Sequence, residues 1–133
     1  LDTGAKTHGT TAPLLLGVTV LTSLDEQALA ATGVADTPLS QCTRLAKLAQ
    51  AAGADGVVAS SHEVAQLRQD LGSEFTLVTP GIRPEGNSSD DQARIMTPQD
   101  AITNGASYLV IGRPITQADN PVIAAKNIVD SLG

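Results

Sequence analysis

Aromatic side chains are almost missing: Phe75 and Tyr108 are the only two, and there is no tryptophan. A nucleic-acid surface built on stacked bases therefore has no platform. Positive charge is scarce as well. Eight Lys and Arg stand against 14 Asp and Glu, a formal net charge of -6, where a nucleic-acid face would show a basic stripe. The single cysteine, Cys42, excludes an internal disulfide and suits a reducing cytoplasm. No apolar run nears the ~20 residues of a membrane span, and Leu14–Leu16 is too short for a signal-peptide core. The expectation is a cytoplasmic protein that handles a small molecule, with neither nucleic acid nor membrane as partner.

What is present is organised around residues 77–116, LVTPGIRPEGNSSDDQARIMTPQDAITNGASYLVIGRPIT. An apolar run, Phe75 to Val78, stops at Pro80-Gly81. A second, Tyr108 to Ile111, stops at Gly112-Arg113-Pro114. Short continuous apolar runs bounded by Gly and Pro predict strands of a parallel sheet, buried on both faces. Between them lie a polar loop and a helix opened by Thr97-Pro98, an N-cap residue with proline at the first helical position. Arg83 follows the first strand, Arg113 follows the second, and Gly112 leaves the neighbouring backbone N–H unobstructed. Two guanidinium forks and a bare amide at the carboxyl ends of adjacent parallel strands suit a phosphate. In (β/α)₈ barrels that group commonly binds at the loops after the last two strands. The plainer alternative pairs these arginines with Asp90 and Asp91.

Four motifs in order, LLLGVTVLTSL (residues 14–24), TPGIRPEG (79–86), DDQARIMTP (90–98) and YLVIGRPIT (108–116), resemble orotidine 5'-phosphate decarboxylase of the bacterial type. The resemblance runs from about Pro13 to the end of the chain. It implies an α/β fold, the (β/α)₈ TIM barrel, and removal of CO₂ from orotidine monophosphate to give uridine monophosphate. It further implies no metal, no organic cofactor, and a homodimer of the complete enzyme. Carried over residue by residue, it makes Thr22 a contact to the pyrimidine and Gln92 a bridge between phosphate and base. Arg83, Gly112 and Arg113 then hold the phosphate.

Only the second half of the family's chain is covered, about strands 5–8. The catalytic lysine and aspartates of the family sit on an Asp-x-Lys-x-x-Asp motif, which is absent. Lys6, Lys47 and Lys126 are the only lysines, and none has aspartates at those offsets. A complete barrel needs ~250 residues, and a 133-residue chain beginning at Leu1 fits half of one. Residues 1–133 are thus expected to form one domain that carries no catalytic group and is inactive alone. Such a half-barrel leaves two unpaired strand edges and an exposed apolar face, to be covered by the missing half or by a second copy. Two rival readings stand beside it. One is another phosphate-binding barrel enzyme, a sugar-phosphate decarboxylase or epimerase, and the other is a non-catalytic half-barrel binding module.

Elsewhere the reading is structural. Residues 1–12 show no periodicity and are expected to be irregular, leaving Lys6 and His8 solvated. Leu14–Leu21 is a strand, after which Thr22 or Ser23 caps a short helix from Asp25 to Thr32. Pro38–Ala52 is a helix with Leu39, Cys42, Leu45, Ala46, Leu48 and Ala49 on one buried stripe. Cys42 is there for packing, and Arg44 and Lys47 are solvated. Asp55–Ala59 is a strand, and Ser61 opens a helix to Leu71, with His62 on its surface. The polar stretch Ile82–Arg94 is long enough for a lid that excludes water from a bound phosphate ester, and Arg94 pairs there with Asp90 or Asp91. Asn120-Pro121 starts the last helix, whose apolar face is Ile123, Ile128 and Leu132.

Overall fold

The structure, a computed structural model, describes residues 2–84 and 96–133. Among them are four strands: β1 (Leu16–Val18), β2 (Gly56–Val58), β3 (Thr76–Pro80) and β4 (Tyr108–Val110). They form one sheet in chain order, and every neighbouring pair is parallel. Parallel neighbours require a crossover, and helices supply it. Those helices are α1 (Asp2–His8), α2 (Glu26–Ala31), α3 (Pro38–Ala51), α4 (Val64–Leu71), α5 (Pro98–Thr103), α6 (Arg113–Thr116) and α7 (Pro121–Asp130).

Three helices start by the same chemistry. Thr37, Thr97 and Asn120 each precede a proline, and their side-chain oxygens accept from the N–H groups of Ser40, Asp100 and Ile123 at 3.1–3.2 Å. The cap fills an orphan donor, and the proline has no N–H to leave unmet. Other starts depart from expectation. Asp25, not Thr22 or Ser23, caps α2, accepting from the Ala28 N–H at 2.7 Å. A carboxylate is favoured over a hydroxyl at that end by the helix dipole. At α4 the turn 61–63 intervenes, so Ser61 is no cap; Glu63 occupies the cap position without a side-chain cap bond. The first twelve residues are not irregular throughout, because α1 occupies Asp2–His8. Among its residues whose burial is described, only Ala5 is buried, too small and too isolated to produce an apolar periodicity.

The sheet has two unlike faces. On one, Val57 and Leu77 are fully buried and join Cys42, Ala46, Val64, Leu67 and Ala101 in a single core. Gly17 faces the same way, since a Cβ there would meet the Ala49 Cβ at 3.3 Å. The alternate residues point away from the helices, and there Val18, Tyr108 and Val110 are 63%, 59% and 50% exposed. The strands are therefore not buried on both faces. Four of them cannot curl far enough to cover their own inner side. The stripe on α3 is also narrower than its spacing predicts. Cys42 and Ala46 are buried, whereas Leu39 and Leu48 stand exposed. Arg44 and Lys47 are exposed but paired, with Asp36 at 2.5 Å and Asp70 at 3.0 Å. On α7 only Ile128 of the expected face is buried, with Ile123 exposed.

Beneath the sheet, at the amino ends of β3 and β4, one side chain gathers the chain together. The Arg68 guanidinium donates to the carbonyls of Gly72, Ser73, Phe75 and Gly105 and to the Ser107 hydroxyl, at 2.6–3.1 Å. Ser107 Oγ in turn accepts from the Leu77 N–H at 3.1 Å. Gly105 must be glycine, because its φ is +105° and a Cβ there would lie 2.9 Å from Arg68 Cγ. Replacing Arg68 by Met keeps the stem and orphans these carbonyls. The expected loss in denaturant unfolding is about 3 kcal/mol, since hydrogen bonds to a charged group contribute roughly 1.5–3 kcal/mol each and do not add. An unchanged midpoint would show the cluster to be dispensable.

Thr79 on β3 has the opposite character. It is fully buried, yet its hydroxyl finds no hydrogen-bond partner among the described residues. A buried unmet hydroxyl costs about 1–3 kcal/mol, so Thr79→Val is expected to raise stability. A clear loss instead would mean that the hydroxyl is bonded in solution.

Candidate functional site

The carboxyl ends of the four strands form one mouth. The β3–β4 ladder pairs Val78 with Tyr108, Thr79 with Leu109 and Pro80 with Val110. Arg83 and Arg113 each follow the last paired residue of their own strand by three positions. Both arginines thus follow adjacent strands at the same carboxyl end of the sheet. The route out differs. After β3 the chain turns at Gly81, whose φ is +78°, and Ile82 dives into the core at 1% exposure. Ile82 bridges Met96, and the Arg83 N–H donates to the Met96 carbonyl at 3.2 Å. Ile82 and Arg83 are consequently pinned scaffold, so any lid must begin after them. Arg83 is left half-buried.

After β4 the chain enters α6 at once. The Gly112 carbonyl accepts from Ile115 and Thr116 N–H groups at 2.9 and 3.0 Å. Among the described residues other than its chain neighbours, no atom lies within 4 Å of the place a Gly112 Cβ would take. Arg113 heads this turn and is exposed.

Thr22 comes from the other side of the sheet. It lies four positions beyond Val18, the last paired residue of β1. The loop carrying it reaches across, and its methyl is 3.7 Å from where a Gly81 Cβ would lie. With Asp25 serving α2, its hydroxyl is not committed to a cap. Of the expected site residues, the fold thus brings Thr22 against the turn that leads to Arg83, and places Arg83 and Arg113 after adjacent strands. Gln92 lies outside the described residues, as do Arg94, Asp90, Asp91 and the body of the expected lid.

The sequence reads Ser61 as a helix start, and Ser60 precedes it. Both are buried, 6% and 5% exposed, where the chain leaves β2 between the Thr22 loop and the β3 turn. Ser60 closes the turn, its hydroxyl accepting from the His62 N–H at 3.5 Å and its carbonyl from Glu63 at 3.1 Å. His62 itself is exposed. The available signal was position: two hydroxyls directly after a buried strand, at the functional end.

Cys42 belongs to the core. It is fully buried, and its thiol donates to the Thr19 hydroxyl at 3.1 Å, which in turn donates to the Val58 carbonyl at 2.8 Å. Burial pushes the thiol pKa up from its ordinary value despite that bond, which disfavours a thiolate nucleophile. The three lysines lie on α1, α3 and α7, none of them at the mouth.

Parallel strands in chain order, helices on one face and polar groups at the carboxyl ends define consecutive βα units of the (β/α)₈ barrel class. Within that class the assignment is specific. The model of the orotidine 5'-phosphate decarboxylase / HUMPS family matches residues 2–128, and the chain belongs to that family. It is 58% identical over 125 residues to the orotidine 5'-phosphate decarboxylase of Psychromonas ingrahamii, covering 94% of this chain and 53% of the relative. It is 60% identical over 114 residues to that of Aliivibrio fischeri, covering 86% and 49%. The crystal structure of the Lactobacillus acidophilus orotidine 5'-phosphate decarboxylase superposes with a TM-score of 0.78 at 38% identity, over 94% of this chain and 51% of that one. The chain spans about half the length of the curated relatives it matches.

Proposed function

We propose that this chain supplies the phosphate- and pyrimidine-binding half of an orotidine 5'-phosphate decarboxylase. The observation that carries the reading is that Arg83 and Arg113 follow adjacent parallel strands, each three residues beyond the Pro80–Val110 pair. Two guanidinium groups there meet a phosphate dianion from two strands. The open backbone at Gly112 lets phosphate oxygens approach main-chain donors that a side chain would screen. Thr22, one loop away, offers a hydroxyl that both donates and accepts, as a pyrimidine edge requires. Gln92 spans the two, on the strength of the family motif DDQARIMTP.

Decarboxylation asks for charge stabilisation at pyrimidine C6 and a proton for the carbanion formed there. In the family, lysine and aspartate side chains of the other half do this, and such preorganised charge is where electrostatic catalysis is strongest. The part played by this chain is grip. Binding energy at the remote phosphate orients the base and offsets the cost of assembling the reactive geometry. The same reading gives a cytoplasmic enzyme that works as a homodimer of complete barrels without metal or organic cofactor. The lone buried cysteine and the family's role in making uridine monophosphate support it.

Two measurements test this. In a complete barrel containing this half, Arg113→Ala is expected to weaken binding of uridine monophosphate by about 2–4 kcal/mol, the range for removing one partner of a desolvated charge pair. Uridine, lacking the phosphate, is expected to bind as before, and Thr22→Val to weaken both ligands alike. Equal losses for the two ligands in Arg113→Ala would sink the phosphate assignment. The 133-residue chain alone is expected to release no CO₂ from orotidine monophosphate above the buffer rate. Measured turnover by that species would falsify the division between a binding half and a chemical half.

A further inference from the structure

One strand end at the mouth has no assigned part. Thr22 follows β1 and the two arginines follow β3 and β4, while β2 lies between them in the sheet. Strands β1 and β3 stand two spacings apart, about 10 Å. Yet the Thr22 methyl comes within 3.7 Å of the place a Gly81 Cβ would take. The loops after β1 and β3 therefore converge where β2 ends. A ligand held at its base by Thr22 and at its phosphate by Arg83 and Arg113 crosses that point with its middle.

Ser60 occupies it. Val57 and Ala59 belong to the core under the helices, so Val58 and Ser60 alternate onto the other face, the one a barrel turns inward. Pairing with β3 continues to the residue before it, where the Ala59 N–H donates to the Val78 carbonyl at 3.1 Å. Inner positions at the carboxyl ends of strands are where enzymes of this architecture place ligand-binding groups. Val18 on the same face is 63% exposed and Ser60 only 6%, so the cover over Ser60 is local to the mouth. Its hydroxyl is nevertheless little used. The bond it accepts, from the His62 N–H at 3.5 Å, is long, and among the described residues its proton has no acceptor. Ser107 at the opposite end of the sheet is the contrast, its hydroxyl bonded to both Arg68 and the Leu77 N–H. A hydroxyl nine-tenths buried with an unspent donor costs stability, and nothing in the fold offsets that cost.

We propose that Ser60 is a further ligand-binding residue of the mouth, its hydroxyl donating to the nucleoside portion of a bound nucleoside monophosphate, between the Thr22 contact and the phosphate. The inference rests on the nucleotide site proposed above and adds a residue to it. That portion offers carbonyl and hydroxyl oxygens as acceptors, which a neutral donor suits. Ser61 is off the alternation, since it enters the turn 61–63.

The test measures binding of uridine and of uridine monophosphate to a complete barrel containing this half, together with denaturant unfolding of the same variants. Ser60→Ala is expected to weaken both ligands about fivefold, the loss of one neutral hydrogen bond, with a midpoint equal to or above the parent's. A hydroxyl kept for folding would lower the midpoint instead, and that result overturns the proposal. Unchanged binding of both ligands overturns it too, as does a loss confined to the monophosphate. Ser61→Ala controls for disturbance of the turn and is expected to bind both ligands as the parent does; a matching loss there overturns the assignment to Ser60. Arg113→Ala separates this inference from the reading beneath it. If that variant fails to distinguish the two ligands, the phosphate site falls and this inference with it. If it distinguishes them while Ser60→Ala binds like the parent, Ser60 alone is removed.

Discussion

The parallel ladder between β3 and β4 is the constraint on which the rest depends. Its register decides which residues of two sequence-distant strands are paired. Pro80 opposite Val110 leaves Arg83 and Arg113 each three residues beyond the last pair of adjacent strands. A slip of one residue would move one arginine down the mouth. It would also exchange Leu77, fully buried, with Val78 on the open face. Packing and the proposed site thus depend on the same backbone hydrogen bonds.

The two ends of the sheet divide the work. At the amino end Arg68 has its hydrogen bonds satisfied by loop carbonyls and a hydroxyl, and it ties the entries to β3 and β4 together. At the carboxyl end Arg113 is exposed and Thr22 is released from capping by Asp25. A cation that has spent its donors on backbone holds structure. An exposed cation beside a glycine is the arrangement on which the proposed phosphate grip rests. The lysines lie on helices α1, α3 and α7.

The sheet is also divided front to back. Helices α3 and α4 and the buried Val57 and Leu77 give one side a continuous core. The other side carries aliphatic residues and a tyrosine whose exposure follows from the strand count rather than from polarity. Four strands twist and curl but do not meet. An uncharged, curved, half-exposed face with two free parallel edges is an incomplete barrel wall, and closure is what its composition fits.

Much of this was legible in the residues. The apolar runs ending at Pro80-Gly81 and Gly112-Arg113-Pro114, and the caps Thr97-Pro98 and Asn120-Pro121, act through local backbone sterics and side-chain hydrogen bonds. Sequence by itself therefore determined the order of the four strands and of α2, α3, α4, α5 and α7, though not α1 or α6, and the motifs around Arg83 and Arg113 pointed to the family. Contacts between segments remote in sequence were decided only by the tertiary structure. Arg68 meets Gly105 and Ser107 nearly forty residues away, and nothing in the run VAQLRQD marks it. The approach of Thr22 to Gly81, the burial of Ser60 and Ser61, and the pinning of Ile82 by Met96 likewise depend on how crossovers stack. Exposure at Leu39, Leu48 and Tyr108 escaped periodicity for a related reason. Periodicity shows which residues share a face, and only the neighbours in space show whether that face is covered.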